Sequence, residues 1–468
     1  MKHFPFDLDA RWMVVLAFVV SSVVTIGLIL HRPYLRVRIR QRRLRIETYF
    51  LGALFGPLLI LGLGIMPWVA ILEGLHGSGG LQPLGILALF LSMVFISIFL
   101  DITGVFEFCA RVALRWAGTD GRRLFYAIYF VVSVLTIFTS NDIIILTFTP
   151  LVCYFTKHAR LNPIPYLMAE FFAANTWSML LYVGNPTNIV IAGAFRLTFL
   201  QYTAWMFFPT LAAGLVNLFG LSILFRKDIT QPLAHHIVGR PMDAITDRPG
   251  AVMGVALLGV CVLTLAIAPQ LGIALWSVAL AAALGLLLVL IARRSWARLL
   301  GLDLAKHGGT GVRHTLSRMP WPMVPFVLAL FMTVVALQYY GITPGIGEAV
   351  RAKGWTSPAA LVALFGFGSA FAANVLNNIP MTLAFAGIIQ GFSGTALLAA
   401  ALATTVGANL GANLTPLGAL AGIMWLTILH DKGVQIRFID FVRYGFLVTI
   451  CSLAAALGAL ALQFVVLS

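Results

Sequence analysis

From residue 10 to residue 466 the chain returns repeatedly to apolar runs of about 20 residues, split by short segments that hold most of its charge. A run of that length spans the hydrocarbon layer of a bilayer as a helix, and a soluble domain has no core large enough for so many of them. Of the 468 residues 60% are hydrophobic and 10% charged, against about 25% charged in a soluble domain. The serial alternation that a membrane barrel requires is missing. The expected fold is an all-α polytopic membrane protein. No small-residue cleavage signal follows the first apolar run, so it reads as a retained span.

Spans are expected at roughly 10–30, 48–71, 84–106, 203–225, 249–267, 272–292, 321–342 and 439–466, with two broken spans at 165–201 and 395–429. Segments 125–156 and 358–390 differ: each has two apolar limbs around a polar tip. Such a segment is either one kinked span or a re-entrant hairpin. Charge favours hairpins. The connecting segments 32–47, 111–124, 157–162, 226–250, 293–320 and 430–438 carry 25 of the 31 Lys and Arg, and only hairpins place all six on one face, which is then the cytoplasmic one. The formal charge of +15 is thus a topology signal, and nucleic-acid binding is not expected.

With hairpins, the chain divides into a first repeat at 1–225, a cytoplasmic linker at 226–248 and a second repeat at 249–468. Each holds five spans plus one re-entrant hairpin, with a broken helix among the spans, and the second is inverted relative to the first. Inverted repeats support alternating access around a midplane site.

Polar residues mark that site. The motifs are "TSNDIIIL" from Thr139, "YVGNPTNIVIAG" from Tyr182, "NVLNNIPMT" from Asn374 and "GANLGANLTPLG" from Gly407. A helix broken at membrane depth exposes backbone groups that only protein, water or a bound solute can satisfy. Gly permits the break, Pro ends a helix, and Asn and Thr supply donors and acceptors. The candidate solute and ion contacts are Ser140, Asn141, Asp142, Asn185, Thr187, Asn188, Asn377, Asn378, Asn409, Asn413 and Thr415. An intramembrane carboxylate is expensive and usually functional, which makes Asp142 the first choice for proton coupling and Asp101 the second. Glu107 is expected to pair with Arg111, four residues on, and Glu170 to face the cytoplasmic interface. Cys109, Cys153, Cys261 and Cys451 form no Cys-x-x-Cys pair, and the histidines fall in or beside loops, His235 and His236 being the only adjacent two. No metal site, cofactor or enzyme active site is expected, and no P-loop is present.

At this level of detail the chain resembles the ArsB-type arsenite transporters of the ion transporter superfamily, which also holds NhaD-type sodium/proton antiporters and dicarboxylate transporters. The resemblance rests on "TSNDIIILTFTPLV" (139–152), "LFRKDITQP" (224–232), "MPWPMVPFVLAL" (319–330), "LNNIPMT" (376–382) and "GANLGANLTPLGALAGIMWLTIL" (407–429), whose order covers nearly the whole chain. It implies a multi-pass permease of the bacterial inner membrane that expels arsenite, and often antimonite, in exchange for protons. In some members a separate ArsA-type ATPase takes part. The family's tip residues fall on Asn141, Asp142, Asn377 and Asn378, and its first broken-helix Asn on Asn185 or Asn188. The arsenite pumps carry Asp near position 175 and at 409 and Lys at 413, whereas this chain has Asn at all three. The alternative expectation is a sodium- or proton-coupled permease for a small inorganic or organic anion. Oligomeric state is left open.

Overall fold

The computed structural model describes residues 9–32, 34–39, 42–76, 82–232, 239–299 and 311–467. His235 and His236 lie outside the described residues. Among those described, nine helices are long and apolar enough to cross a membrane.

The first half opens with α1 (Ala10–His31), then an antiparallel two-stranded hairpin, β1 (Tyr34–Ile39) and β2 (Arg42–Glu47), in which Tyr34 pairs with Glu47 and Ile39 with Arg42. The remaining elements are α2 (Tyr49–Gly62), α3 (Trp68–His76), α4 (Pro83–Ile102), α5 (Val105–Ala117), α6 (Gly121–Phe138), α7 (Asn141–His158), α8 (Ile164–Trp177), α9 (Pro186–Ala194) and α10 (Phe199–Leu224). A short α11 (Arg226–Ile229) begins the linker. The second half runs α12 (Arg248–Ile267), α13 (Leu275–Leu299), the short α14 (Val312–Ser317), α15 (Met323–Tyr339), α16 (Ile342–Ala352), α17 (Pro358–Leu376), α18 (Asn378–Ile389), α19 (Gly394–Leu410), α20 (Leu420–Asp431) and α21 (Phe438–Leu467).

The nearly all-helical, polytopic architecture is as expected, with three local differences. The basic segment 32–47, read as a loop, is the β-hairpin; its "YLRVRI" and "RRLRIE" alternate with a period of two, the pattern of a strand. The span expected at 48–71 ends at Gly62, because Gly64 adopts φ 61° and Pro67 precedes the separate α3. The third expected span of each half, α4 or α15, is followed by an amphipathic arm, α5 or α16, which was not anticipated. Both arms start after a glycine in the left-handed region, Gly104 at φ 89° and Gly341 at φ 71°, and α15 and α16 meet at a 58° bend. In α5 the buried positions Phe106, Ala110, Ala113, Leu114 and Ala117 lie on one helical face.

The packing repeats across the halves. α2 packs on α15 as α4 packs on α13; α6 packs on α8 as α17 packs on α19; α10 packs on α21. The second limbs cross over: α7 packs against α20, and α18 against α9. Between α17 and α19 the backbones touch. A Cβ on Gly407 would lie 2.4 Å from the Gly366 carbonyl oxygen, and one on Gly411 would lie 2.6 Å from that of Ala370. Small residues permit this approach.

α6 and α7 are each 18 residues long, separated only by Thr139 and Ser140. At 1.5 Å per residue the pair would reach about 54 Å end to end, too far for one span of about 30 Å. The two limbs therefore meet at a break, Thr139 and Ser140, and do not form one straight span. α17 and α18 are joined at Asn377, whose φ of 72° and ψ of 151° fall in a region that residues with a side chain rarely adopt.

Candidate functional site

Each polar motif sits where a helix ends. Ser140 precedes α7, Asn377 caps α18 by accepting from the Ile379 N–H, and Asn185 caps α9 by accepting from the Thr187 N–H at 3.1 Å. In the second half, Thr415 accepts from the Leu417 N–H at 3.2 Å and starts the turn Pro416–Gly418 ahead of α20. The breaks lie at 178–185 and 411–419, and the sequence around them is almost wholly buried.

Three connected groups fill the centre. In the first, Asn141 Nδ2 donates to Asn175 Oδ1 (3.1 Å) and Asn175 Nδ2 donates to Asn413 Oδ1 (3.1 Å). The chain continues from Asn413 Nδ2 to Thr176 Oγ1 (3.5 Å); Thr176 also accepts from Asn217 on α10, which accepts from Ser452 on α21. In the second, Asn409 is the hub. Its Oδ1 accepts from Asn185 Nδ2 (2.9 Å) and Ser178 Oγ (3.0 Å), and its Nδ2 donates to Asn188 Oδ1 (2.7 Å). Asn188 Nδ2 turns back to the Ser178 carbonyl at 2.8 Å, and the Thr187 hydroxyl sits 3.4 Å from Asn188 Oδ1. In the third, Thr415 Oγ1 donates to Asn374 Oδ1 (2.6 Å), Asn374 Nδ2 reaches the Gly411 carbonyl (2.9 Å), and Asn377 Nδ2 the Leu417 carbonyl (3.3 Å).

These bonds divide the candidate residues. Asn141, Asn185, Asn188, Asn377, Asn409, Asn413 and Thr415 are committed to neighbours. Ser140, Asp142 and Asn378 are not. The Ser140 hydroxyl is buried without a partner. Among the described residues no side-chain hydrogen bond or ion pair engages the Asp142 carboxyl or the Asn378 amide; Asp142 is half-buried and Asn378 is 3% exposed. Unengaged polar groups at broken helices are the ones available to a solute.

Asp101 is elsewhere. It closes an ion pair with Arg318 at 2.7 Å, joining the end of α4 to the segment before α15, and among the described residues it makes no hydrogen bond to the asparagine network. Glu107 pairs with Arg111 at 2.6 Å. Glu170 does not face an interface: it is fully buried, its Oε1 2.7 Å from the Thr149 hydroxyl. The shared packing of α7, α8 and α20, which joins segments far apart in sequence, encloses it. Residues beyond the four motifs also belong to the network, Asn175, Thr176, Ser178, Asn217 and Ser452, as does Asn374, which opens the third motif but was not among the candidates. Asn217 had a signal, as an amide deep inside a 26-residue apolar helix, far from Gln201 in the first turn.

A cleft of about 570 Å³ opens between α4, α9 and the turn Pro269–Trp276, with Gln82, Arg196 and Trp276 in its walls and Tyr182, three residues before Asn185, also lining it. Among the described residues no cluster of His, Cys, Asp or Glu is arranged to hold a metal.

Residues 48–407 match the citrate transporter family, CitMHS. The chain is 31% identical over 390 residues to the arsenical pump membrane protein of Yersinia enterocolitica, covering 80% of this chain and 86% of that one. It is 30% identical over 385 residues to the arsenical pump membrane protein of Escherichia coli K12, with the same shares covered. Among solved structures it is similar to the YdaH transporter of Alcanivorax borkumensis, with a TM-score of 0.56 at 14% identity over 98% of both chains. It is also similar to MtrF of Neisseria gonorrhoeae, with a TM-score of 0.55 at 12% identity. At those identities the likeness is one of fold.

Proposed function

Because the chain belongs to the citrate transporter family, and so is a multi-pass membrane transporter rather than an enzyme, we propose that it extrudes arsenite across the bacterial inner membrane in exchange for protons. The observation that carries this reading is the division at the centre: a neutral lattice of amides and hydroxyls holds the breaks together, while Ser140, Asp142 and Asn378 stay unengaged. Trihydroxyarsenite is uncharged at neutral pH and presents hydroxyls that both donate and accept. A hydroxyl, an amide and one carboxyl suit it without any fixed cation. The relatives named as arsenical pumps support the same solute, and antimonite, with the same hydroxyl geometry, is its companion. Proton exchange is assigned to Asp142, the carboxyl at the first hairpin tip. Asp101, held by Arg318, is a weaker choice than its sequence position suggested.

A second reading has its own support. The N-termini of α7, α9 and α18 all begin at the breaks, and helix N-termini favour anions. Under that reading the chain is a proton- or sodium-coupled permease for a small anion, in keeping with the family's name.

Arsenite uptake into inside-out vesicles bearing the protein, with and without a proton gradient, decides between them. Gradient-dependent accumulation abolished by a protonophore supports metalloid/proton exchange. No accumulation by folded, inserted protein, with uptake of a carboxylate or oxyanion instead, supports the second reading. Dependence on an added ArsA-type ATPase would replace the gradient as the driving force.

A further inference from the structure

Glu170 lies outside the asparagine centre, yet it is a fully buried carboxyl surrounded by both halves of the chain. Its immediate partner is the Thr149 hydroxyl on α7. That oxygen is 2.7 Å from Glu170 Oε1 and also 2.6 Å from the Ile145 carbonyl oxygen, one turn back on its own helix. A hydroxyl has one proton to give. The hydroxyl faces both oxygens and can give its proton to either; when it goes to Ile145, the contact with Glu170 is completed by a proton on the carboxyl.

The other oxygen has a different neighbour. Glu170 Oε2 is buried with no hydrogen bond, and so is Trp425 Nε1 on α20. The Trp425 indole faces the same carboxyl and is packed by Phe171 (ring centroids 5.1 Å apart) and Phe441 (5.7 Å). Among the described residues, Cys153, one turn along α7, is near enough to Glu170 to feel its charge, and Lys432, just beyond α20, is near Cys153. Neither forms an ion pair with Glu170 among the described residues.

We propose that Glu170, Thr149 and Trp425 form a proton-linked latch between the first hairpin and the second broken helix. The acid form donates from Glu170 to Thr149 and leaves the indole N–H idle. When the proton departs to water, the electron pair stays on the carboxylate, Thr149 reorients its hydroxyl toward it, and the Trp425 N–H closes on Oε2. A charge-assisted bond of that kind is about twice as strong as a neutral one, so proton loss draws α20 toward α8. The latch deepens the proton-exchange reading and rests on it for its role in transport, though not for its chemistry.

The test is infrared titration of the full-length protein in liposomes. Wild type is expected to show a carboxylic-acid carbonyl band at neutral pH that is absent in Glu170→Gln and displaced in Thr149→Val, while Asp142→Asn leaves it in place. Identical wild-type and Glu170→Gln spectra from folded protein overturn the proposal. Should Glu170→Gln fail to fold, an unmoved band in Thr149→Val overturns it equally. A second readout is the pH profile of solute exchange. Trp425→Phe is expected to move its midpoint upward by about one unit, because the carboxylate loses its N–H partner; an unshifted profile removes Trp425 from the latch. The infrared result does not depend on which solute is carried, so a wrong solute and a wrong latch are told apart.

Discussion

Asn185 and Asn409 stand 224 positions apart in the chain and meet side by side at 2.9 Å, with Asn185 donating to Asn409 Oδ1. The same Asn409 donates to Asn188 at 2.7 Å. With Ser178 also donating to its oxygen, one amide in the second half ties the end of α8 to the start of α9, using its acceptor and its donor at once.

Replacing Asn409 by Asp is therefore expected to weaken the protein rather than restore an arsenite-pump pattern. The new carboxylate oxygen would face Asn188 Oδ1, and Asn188 Nδ2 is already committed to the Ser178 carbonyl. An unmatched buried polar group costs about 1–3 kcal/mol. Thermal unfolding in detergent should fall in midpoint. A variant as stable as wild type would mean that Asn188 turns over freely.

Asn141 and Asn378 occupy matching tips but should behave differently on truncation. Asn141→Ala breaks the bond to Asn175 and is expected to lower stability by about 1 kcal/mol. Asn378→Ala breaks no side-chain bond among the described residues, so its loss should fall on solute affinity, roughly tenfold for one polar contact. Direct binding and unfolding measured on the same preparations give the comparison. Equal losses in both for both variants would contradict the division of the site.

Asp142→Asn should insert and fold, since no partner is removed, and should lose gradient-driven accumulation while still binding solute. Vesicle uptake with an imposed proton gradient measures the first and equilibrium binding the second. Full gradient-driven activity in the variant would take the coupling role away from Asp142.

Gly407→Val tests the contact between α17 and α19. Even a first carbon there would lie 2.0 Å from Ser369 Oγ and 2.4 Å from the Gly366 carbonyl oxygen. Overpacking typically costs 1–3 kcal/mol, and backbone on the far side leaves little room to yield. Expression with a sharp loss of monodisperse protein on size exclusion is expected; a well-behaved variant would show that the two helices can separate.

The sidedness that charge implies is open to one label. His158 is exposed at the end of α7, and a cysteine placed there in a background lacking the native cysteines should react only with reagent that reaches the cytoplasm. Labelling from outside would undo the hairpin topology.

Much of this was legible in the sequence for a physical reason. Breaking a helix inside a bilayer demands polar and flexible residues, and in a chain only 10% charged they stand out. Helices end at Ser140 and Asn377 and are interrupted at 178–185 and 411–419, beside the motifs that hold Asn141, Asn378, Asn185 and Asn413. Which amide serves whom was not legible, because Asn141 engaging its neighbours and Asn378 engaging none look alike in one dimension. Glu170 was misread for a similar reason: its position near the start of a helix suggests an interface, but α20, some 250 positions later, closes over it. The amphipathic arms α5 and α16 were hidden by a different effect: Glu107, Arg111 and Arg115 in one and Glu348 and Arg351 in the other interrupt the apolar run and read as a connecting segment.

The crossover of α7 onto α20 and of α18 onto α9 has a consequence for how the protein is made. Asn175 is synthesised 238 residues before Asn413, the partner that completes it. While the ribosome is still translating, the first half's tip and broken helix sit in the bilayer with their polar groups unmatched, or wait beside the insertion machinery. Neither half is a finished product when it leaves the exit tunnel. Maturation is a single late event, timed by the arrival of the last third of the chain.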